Sequence, residues 1–402
     1  MKLGILREGK TPADNRVPLT PEQCVEVQKK FPGVRVLVQT SDVRCFSDEE
    51  YREKGIPVQE DVSDCDVLMG VKEVIVDDLI PGKIYFFFSH TIKKQEYNRK
   101  LLQTILQKKI QLVDYEVLTD ENNMRIIGFG RFAGLVGTYN GLRALGLRMK
   151  QFDLKPAHQC DGLEEMLYQL ERIQLPPVKI AFTGNGRVAG GVLEVLEFMK
   201  IRQLQPNEYL AAQQLNEPVY CQLLPQHYVK RKDGNPFDLK HFFEHPEMYD
   251  NAFLPFAAST DLLIAAAYWD PKAPVLFTAA DAKNDEFSIE VISDITCDIE
   301  GSIPTTKRAS TVADPFYDYN PHTGAMERPF SSDEHITVQA VDNLPNELPK
   351  DASLDFGRNL IGKVFPALFG DDSEGIIKRA SVTKGGKLTQ QFSYLQDFVS
   401  GQ

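Results

Sequence analysis

The chain holds 402 residues, 42% of them hydrophobic and 25% charged, with a net charge of −12. That is the composition of a soluble globular protein long enough for two domains. The acidic balance argues against nucleic acid, which needs a basic surface, and no apolar run reaches the length of a membrane span. Six scattered cysteines (Cys24, Cys45, Cys65, Cys160, Cys221, Cys297) lack CxxC or Cys/His spacing. They predict free thiols in a reducing, cytoplasmic setting. Met1–Leu6 enters a strand pattern directly, so no separate signal segment is expected.

From the start, strand and helix signals alternate, the pattern of a parallel-sheet α/β domain. Lys2–Arg7 reads as a strand. Thr20, Pro21 and Gln23 make a capping box with proline at the first helical position, so a helix opens there. Val34–Val38 is the next strand, Ser47–Glu50 caps a short helix, and Asp66–Val71 and Ile84–Phe88 are strands. Lys94–Lys108 is expected to be one helix, followed by strands at Ile110–Val113 and Met124–Phe129. Phe132–Lys150 is helical, with Gly134, Gly137, Gly141 and Ala144 along one side. That spacing predicts close packing and suits a helix connecting domains rather than a membrane segment.

Val178–Thr183 is a buried strand running into Gly184–Gly191 and then a helix over Val192–Met199. Strand, GxGxxA turn and helix are the setting a dinucleotide fingerprint needs. Gly184 permits the turn, Gly186 lets the backbone approach a pyrophosphate, and Ala189 lets helix and strand pack closely. The N–H groups at the helix start would face the anion. Roughly 175 residues precede the turn, enough for a separate domain. Further strands are read at Val219–Leu224, Leu262–Ala267 and Ile289–Ile292, with surface insertions around 202–216 and 230–250. Past about residue 325 the pattern leaves the nucleotide domain; Leu348–Val364 is a helix, and a mixed helical tail follows. The expected architecture is α/β, with two Rossmann-like domains of parallel sheets and a cleft between them. Residues 1–131 and 329–402 form a discontinuous first domain, and 132–328 the dinucleotide-binding domain.

Ligands of open α/β sheets lie at the carboxyl ends of strands. Lys72 closes Asp66–Val71 and is either an acid–base group tuned by its surroundings or a snorkelling side chain. His90 closes the next strand, with Lys93 just behind. Histidine is best poised for proton transfer near neutrality, although a lone one after apolar residues is more often structural. Convergence of Lys72, His90 and Lys93 at one edge favours chemistry. Arg16, ahead of a capped helix, can fork a carboxylate or be a surface arginine. Arg125 would point toward the cleft or be a solvated edge residue. The second nucleotide strand ends in Pro225–His227 without the usual ribose-binding acid. With Lys230, Arg231 and Lys232 nearby, NADP stays open beside NAD, unless the trio is a solvated loop. Asp294 and Asp298 would face a nicotinamide or form turns.

These stretches together resemble a known family. Asn15–Pro21, Val71–Lys72, Phe87–Glu96, Leu112–Glu116, Phe182–Val188, Ile292–Ile303 and Val341–Pro349 follow its order over nearly the whole chain. They are similar to the lysine–2-oxoglutarate reductase / saccharopine dehydrogenase (lysine-forming) family, within the alanine dehydrogenase superfamily. The likeness is above all to the reductase portion of bifunctional aminoadipate-semialdehyde synthases. The second, glutamate-forming portion of those proteins is expected to be absent.

The resemblance implies an alanine dehydrogenase/transhydrogenase N-terminal-like substrate domain, an NAD or NADP cofactor and a reductive condensation. The amine of L-lysine would attack the keto carbon of 2-oxoglutarate, and the imine would accept a hydride to give saccharopine. By the same resemblance Lys72 and His90 are catalytic, and Arg16, Lys93, Gln95, Arg125 and Phe129 bind substrate. Gly184, Gly186, Arg187, Val188, Ala266, Ala267, Tyr268, Asp294, Ile295 and Thr296 would bind the cofactor, with no metal. Small molecules are the expected partners, with neither nucleic acid nor membrane; a homo-oligomer is compatible. Saccharopine carries three carboxylates, so a cationic crevice is what it demands.

There are departures. The fungal lysine-forming members place an aspartate at the end of the second nucleotide strand, absent here. Val188 replaces their cysteine after the glycine turn, which excludes a disulfide there. Arg131 replaces an aromatic or glutamine, with consequences expected for the substrate. The alternatives are an alanine dehydrogenase-like enzyme and a non-catalytic NAD(P)-binding protein.

Overall fold

A computed structural model describes residues 1–9, 11–72 and 74–401. The chain folds as two units, Met1–Phe129 with Pro349–Gln402, and Gly130–Leu348. In the first, six strands form a wholly parallel sheet: β1 (Lys2–Ile5), β2 (Arg35–Gln39), β3 (Val58–Gln59), β4 (Val67–Met69), β5 (Ile84–Phe87) and β6 (Gln111–Asp114), in the order β3-β2-β1-β4-β5-β6. A parallel sheet is covered on both faces, so its strands read as apolar runs. Leu3, Ile5, Val67, Met69, Phe86 and Phe87 are all fully buried. Cys24 and Val27 of α1 (Pro21–Lys30) join one core with Phe356, Leu360 and Phe365 of the returning segment. Leu101 and Ile105 join the other with Phe392, Leu395 and Phe398. The end of the chain thus seals both faces of a sheet laid down at its start.

The caps form as read. Thr20 Oγ1 accepts the Gln23 N–H at 3.3 Å, and the Gln23 side chain accepts the Thr20 N–H at 3.0 Å. Ser47 and Glu50 do the same for α2 (Asp48–Glu53). Other expectations are corrected. The helix expected over Lys94–Lys108 is α3 (Arg99–Gln107), preceded by single turns at Thr91–Lys93 and Glu96–Asn98. The left-handed Lys94 (φ 54°) separates those turns. Met124–Phe129 is not a strand; Arg125 makes only an isolated antiparallel bridge to Thr119, in a turn held by the Asp120 carboxylate. The helix Pro349–Asn359 widens into a π-helix at Leu360–Val364. Pro366 has no N–H to give the carbonyl four residues back, and its ring crowds that position.

The second unit opens with α4 (Gly130–Met149) and continues through α5 (Leu163–Glu171), β7 (Lys179–Thr183) and α6 (Arg187–Phe198). Its later strands are β8 (Arg202–Gln203), β9 (Val219–Leu223), the hairpin β10 (Val229–Arg231) and β11 (Tyr249–Asn251), β12 (Leu262–Ala265), β13 (Val291–Asp294), β14 (Phe316–Tyr319), β15 (Met326–Glu327) and β16 (Ile336–Gln339). The main sheet has the order β15-β14-β16-β13-β12-β7-β9-β8, parallel except at β14 and β15. The expected insertions are ordered parts of the unit: β8 lies in the first, the hairpin in the second, and Tyr209, Phe242 and Tyr249 join the core.

The small face of α4 packs on α6. A Cβ at Gly134 would stand 2.0 Å from the Val188 carbonyl oxygen, and one at Gly191 would stand 2.1 Å from that of Arg131. Gly137 and Gly141 meet Ile295 and Ser293 in the same way. The expected domain boundary after residue 328 moves to Leu348, because β16 belongs to this sheet. Thr337 and Gln339 put polar residues on a fully buried strand, which hides it from a hydrophobicity reading. In the tail, the hairpin β17 (Thr383–Lys384) and β18 (Lys387–Leu388) docks beside β6, with the Val382 N–H donating to the Leu112 carbonyl at 2.8 Å.

Candidate active site

In the first unit, strand order reverses between β1 and β4, the switch point at which open sheets present ligand sites. Lys72 and His90 each lie three residues beyond the last residue of their strands, β4 and β5, which pair in parallel. The two therefore leave the sheet at the same edge. Glu8, just past β1, bridges the switch point: one carboxylate oxygen accepts the Val71 N–H at 2.5 Å and the other the Lys72 N–H at 2.9 Å. Burial pushes the Glu8 carboxyl up, and the two N–H donors, one on each oxygen, pull it back toward the carboxylate.

Asp114 closes β6 and ties it to β5. Buried completely, it accepts the Ser89 N–H at 3.2 Å, the Ser89 hydroxyl and the Glu116 N–H at 2.8 Å. This clamp holds the next residue, His90, in a left-handed backbone (φ 53°), an uncommon state for a residue with a Cβ. The His90 ring stacks on Phe88. Its Nδ1 lies 3.4 Å from Glu116, and the Lys93 ammonium lies 3.4 Å from the other oxygen of the same carboxylate. The Arg125 guanidinium sits over the Phe88 ring, 5.3 Å from its centre. Burial would raise the Glu116 carboxyl, but the adjacent His90 ring and the Lys93 and Arg125 charges bring it to about 2. One fixed anion therefore faces two permanent cations and an imidazole, a local excess that suits carboxylate ligands.

Arg16 is differently placed from a free carboxylate binder. It is 2% exposed, and its guanidinium is already forked by Asp14, with Nε at 2.9 Å and Nη2 at 2.6 Å. It lies over the Phe129 ring at 4.1 Å, and that ring stacks on Phe356 at 4.5 Å. Gln95 is exposed, with its carbonyl oxygen accepting the Tyr97 hydroxyl at 2.7 Å, outside the His90 cluster.

In the second unit the order reverses between β7 and β12, and the glycine turn lies there. Gly184 has φ +97°, and a Cβ would press on Ala266 and Ala267 at 3.2 Å; Gly186 has open space around it. The N-cap of α6 is Gly186, which has no side chain to cap the helix. Such a cradle fits a pyrophosphate. The Thr183 hydroxyl accepts the N–H groups of Ala266 and Ala267 at 3.1 and 3.2 Å, and Gln222 holds the Gly184 carbonyl at 2.9 Å. Arg187 is exposed, and Tyr268 is 87% exposed. Val188 and Ile295 also serve the contact with α4.

Asp294 is fully buried, and its carboxylate is occupied by Thr296, Cys297 and Thr306, so it organises its own loop. Two members of the basic trio are engaged locally, Arg231 with Asp233 and Lys232 with the Glu247 carbonyl. Arg131 forks Glu194 between α4 and α6 at 2.7 and 2.5 Å. Its expected effect on substrate is therefore replaced by a helix–helix tie. Among the described residues there is no cluster that could hold a metal ion and no helix long and apolar enough to cross a membrane.

Sequence reasoning passed over Glu8, Asp14, Glu116 and Thr183. A signal existed for Glu116, which follows Asp114 by two residues just past a strand end. None existed for Glu8, whose partners lie more than sixty residues away.

Two sheets with switch points, one beside a glycine turn and one beside a clamped histidine–carboxylate cluster, make an α/β fold of the kind an L-alanine dehydrogenase has. Residues 4–136 match the family described as Alanine dehydrogenase/PNT, N-terminal domain. Over nearly its whole length the chain is similar to alpha-aminoadipic semialdehyde synthases, and over most of it to lysine-forming saccharopine dehydrogenases.

It is 30% identical over 441 residues to the mitochondrial alpha-aminoadipic semialdehyde synthase of Mus musculus, covering 98% of this chain and 47% of that protein. The Arabidopsis thaliana alpha-aminoadipic semialdehyde synthase is 29% identical, over 98% of this chain and 41% of its own length. The chain thus spans less than half the length of these relatives. The saccharopine dehydrogenase [NAD(+), L-lysine-forming] of Emericella nidulans is 24% identical over 89% of both chains. Among solved structures, an L-alanine dehydrogenase shares the fold with a TM-score of 0.63 at 15% identity, over 100% of this chain and 99% of that one.

Proposed function

We propose that this chain is an NAD(P)-dependent oxidoreductase interconverting saccharopine with L-lysine and 2-oxoglutarate. One observation carries the reading. The synthases match over less than half their length, whereas the lysine-forming enzyme of Emericella nidulans matches over 89% of both chains. What all of them share with this chain is thus close to a whole lysine-forming saccharopine dehydrogenase.

The residues would act as follows. Lys93 and Arg125 receive carboxylates of the substrate. Arg16, already neutralised by Asp14, offers a fixed guanidinium face beside Phe129 rather than a free charge. His90 and Lys72 take the proton released when the amine attacks the keto carbon and return one to the departing hydroxyl as the imine forms. Glu116 steadies the His90 ring. Gly184, Gly186, Arg187 and the start of α6 hold the pyrophosphate, with Ala266, Ala267 and Tyr268 alongside. The chemistry a bound NAD(P)H supplies is the hydride. A cytoplasmic location belongs to the same proposal, supported by six cysteines that are all free.

The test is NADH and NADPH absorbance with lysine plus 2-oxoglutarate, with pyruvate plus ammonia, and with each component omitted. Oxidation that needs both lysine and 2-oxoglutarate is the expected result. Oxidation with pyruvate and ammonia alone would move the assignment to an alanine dehydrogenase activity. Dinucleotide binding without turnover in either mixture would make the chain a binding protein.

A further inference from the structure

We infer that Glu8 is a positioning residue that fixes Lys72 across the switch point of the first sheet. The inference rests on the proposed role of Lys72. β4 ends at Met69, and the next residues leave the sheet before Lys72 is reached. Gly70 still donates to the Phe86 carbonyl at 3.0 Å, and the Val71 carbonyl still accepts the Phe88 N–H. The N–H groups of Val71 and Lys72 point the other way, toward β1, where both meet the Glu8 carboxylate. A single side chain therefore anchors the two consecutive peptide units that lead into the lysine. The Glu8 carboxylate also lies beside Gly70, where a Cβ would stand in ordinary contact, 3.4 Å from one of its oxygens.

The second unit solves the same problem with other chemistry. There the Thr183 hydroxyl, at the end of β7, accepts two consecutive N–H groups past the end of β12. In both units an acceptor from the first strand locks the chain leaving the strand across the switch point. Only in the first unit does the locked segment end in an ammonium.

The geometry makes specific demands on a substitute. Glutamine keeps the length but turns an NH₂ toward one of two N–H donors, so one peptide unit loses its acceptor and is repelled. Aspartate keeps two acceptor oxygens and falls one methylene short. The full chain is compared with its Glu8→Gln, Glu8→Asp and Lys72→Met variants. Steady-state kinetics use lysine, 2-oxoglutarate and reduced cofactor. The rate of Lys72 acylation by acetic anhydride is followed by peptide mass spectrometry, a readout that needs no turnover.

Glu8→Gln is expected to lower kcat by roughly 10–100-fold, the scale of an ångström-level misplacement. Its KM values should stay within about 3-fold of the parent's, and Lys72 labelling should change by more than about 3-fold. Glu8→Asp should recover part of both effects. A Glu8→Gln chain that labels Lys72 and turns over like the parent overturns the inference. So does one in which only thermal stability changes. If Lys72→Met keeps parental turnover, the proposed role of Lys72 fails instead, and the labelling comparison alone decides whether Glu8 holds this loop.

Discussion

Adding one methyl group at Gly134 tests the contact on which the glycine turn is mounted. The new Cβ would stand 2.0 Å from the Val188 carbonyl oxygen and 2.9 Å from the Gly191 Cα. Ordinary contact begins near 3.4 Å, so α4 and α6 must part by about 1.4 Å at this point. The atoms in the way are backbone, which no rotamer change can clear. Overpacking of this kind costs about 1–3 kcal/mol, and the upper end applies here. In a unit of about 200 residues each kcal/mol moves Tm by roughly 2–4 °C, so Gly134→Ala should melt about 6–12 °C lower. Val188 lies in the first turn of α6, so the same displacement moves the pyrophosphate cradle. NADH and NADPH affinity, read by quenching of the reduced-nicotinamide fluorescence, should weaken at least about tenfold. Gly190→Ala is the control. That glycine lies in the partner helix α6 with nothing within 4 Å, so alanine there should stabilise by about 0.5–1 kcal/mol. If Gly134→Ala melts and binds like the parent, or Gly190→Ala falls as far, the close-packing argument is wrong.

His90→Ala and Lys72→Met should each lower turnover by roughly 10²–10⁴-fold in the absorbance assay while leaving circular dichroism unchanged. Asp14→Asn removes the carboxylate that forks the buried Arg16 guanidinium and should cost about 3–5 kcal/mol in urea denaturation. For Glu116, the fall from the usual 4.5 to about 2 means the folded chain favours the ionised form. Its contribution, up to about 3 kcal/mol, is complete above pH 4.5 and is lost as pH falls through 2. The stability gap between the parent and Glu116→Gln, from urea titrations at pH 6 and pH 3, should therefore narrow on acidification.

Strands flanked by capped helices were readable because local chemistry announces them. Thr20 with Gln23 and Ser47 with Glu50 carry their partners within one turn. The glycine turn was readable for the same reason: Gly184, Gly186 and Ala189 act on neighbours a few residues away. What lay hidden depends on distant partners. Glu8 acts on residues beyond β4, and Thr337 and Gln339 are buried polar residues paired with Asp318 and Ser293. Those pairings are invisible until the sheet is assembled. Arg16 is the converse case: its position suggested a fork for a carboxylate or a surface arginine, and a carboxylate of the chain itself, Asp14 two residues earlier, sits in the fork. Asp294 likewise stood in a promising place and spends its carboxylate on its own loop.

The return of Pro349–Ser400 to the first sheet sets an order of events during synthesis. The opening strands leave the ribosome long before Phe356, Phe365 and Phe398 exist to cover them. The second unit is contiguous and can mature while the first still waits with both faces of its sheet unsealed. Nascent chains stalled before residue 349 should therefore expose the N-terminal segment to protease and to chaperones. A separately supplied C-terminal fragment is the natural candidate to complete such a chain.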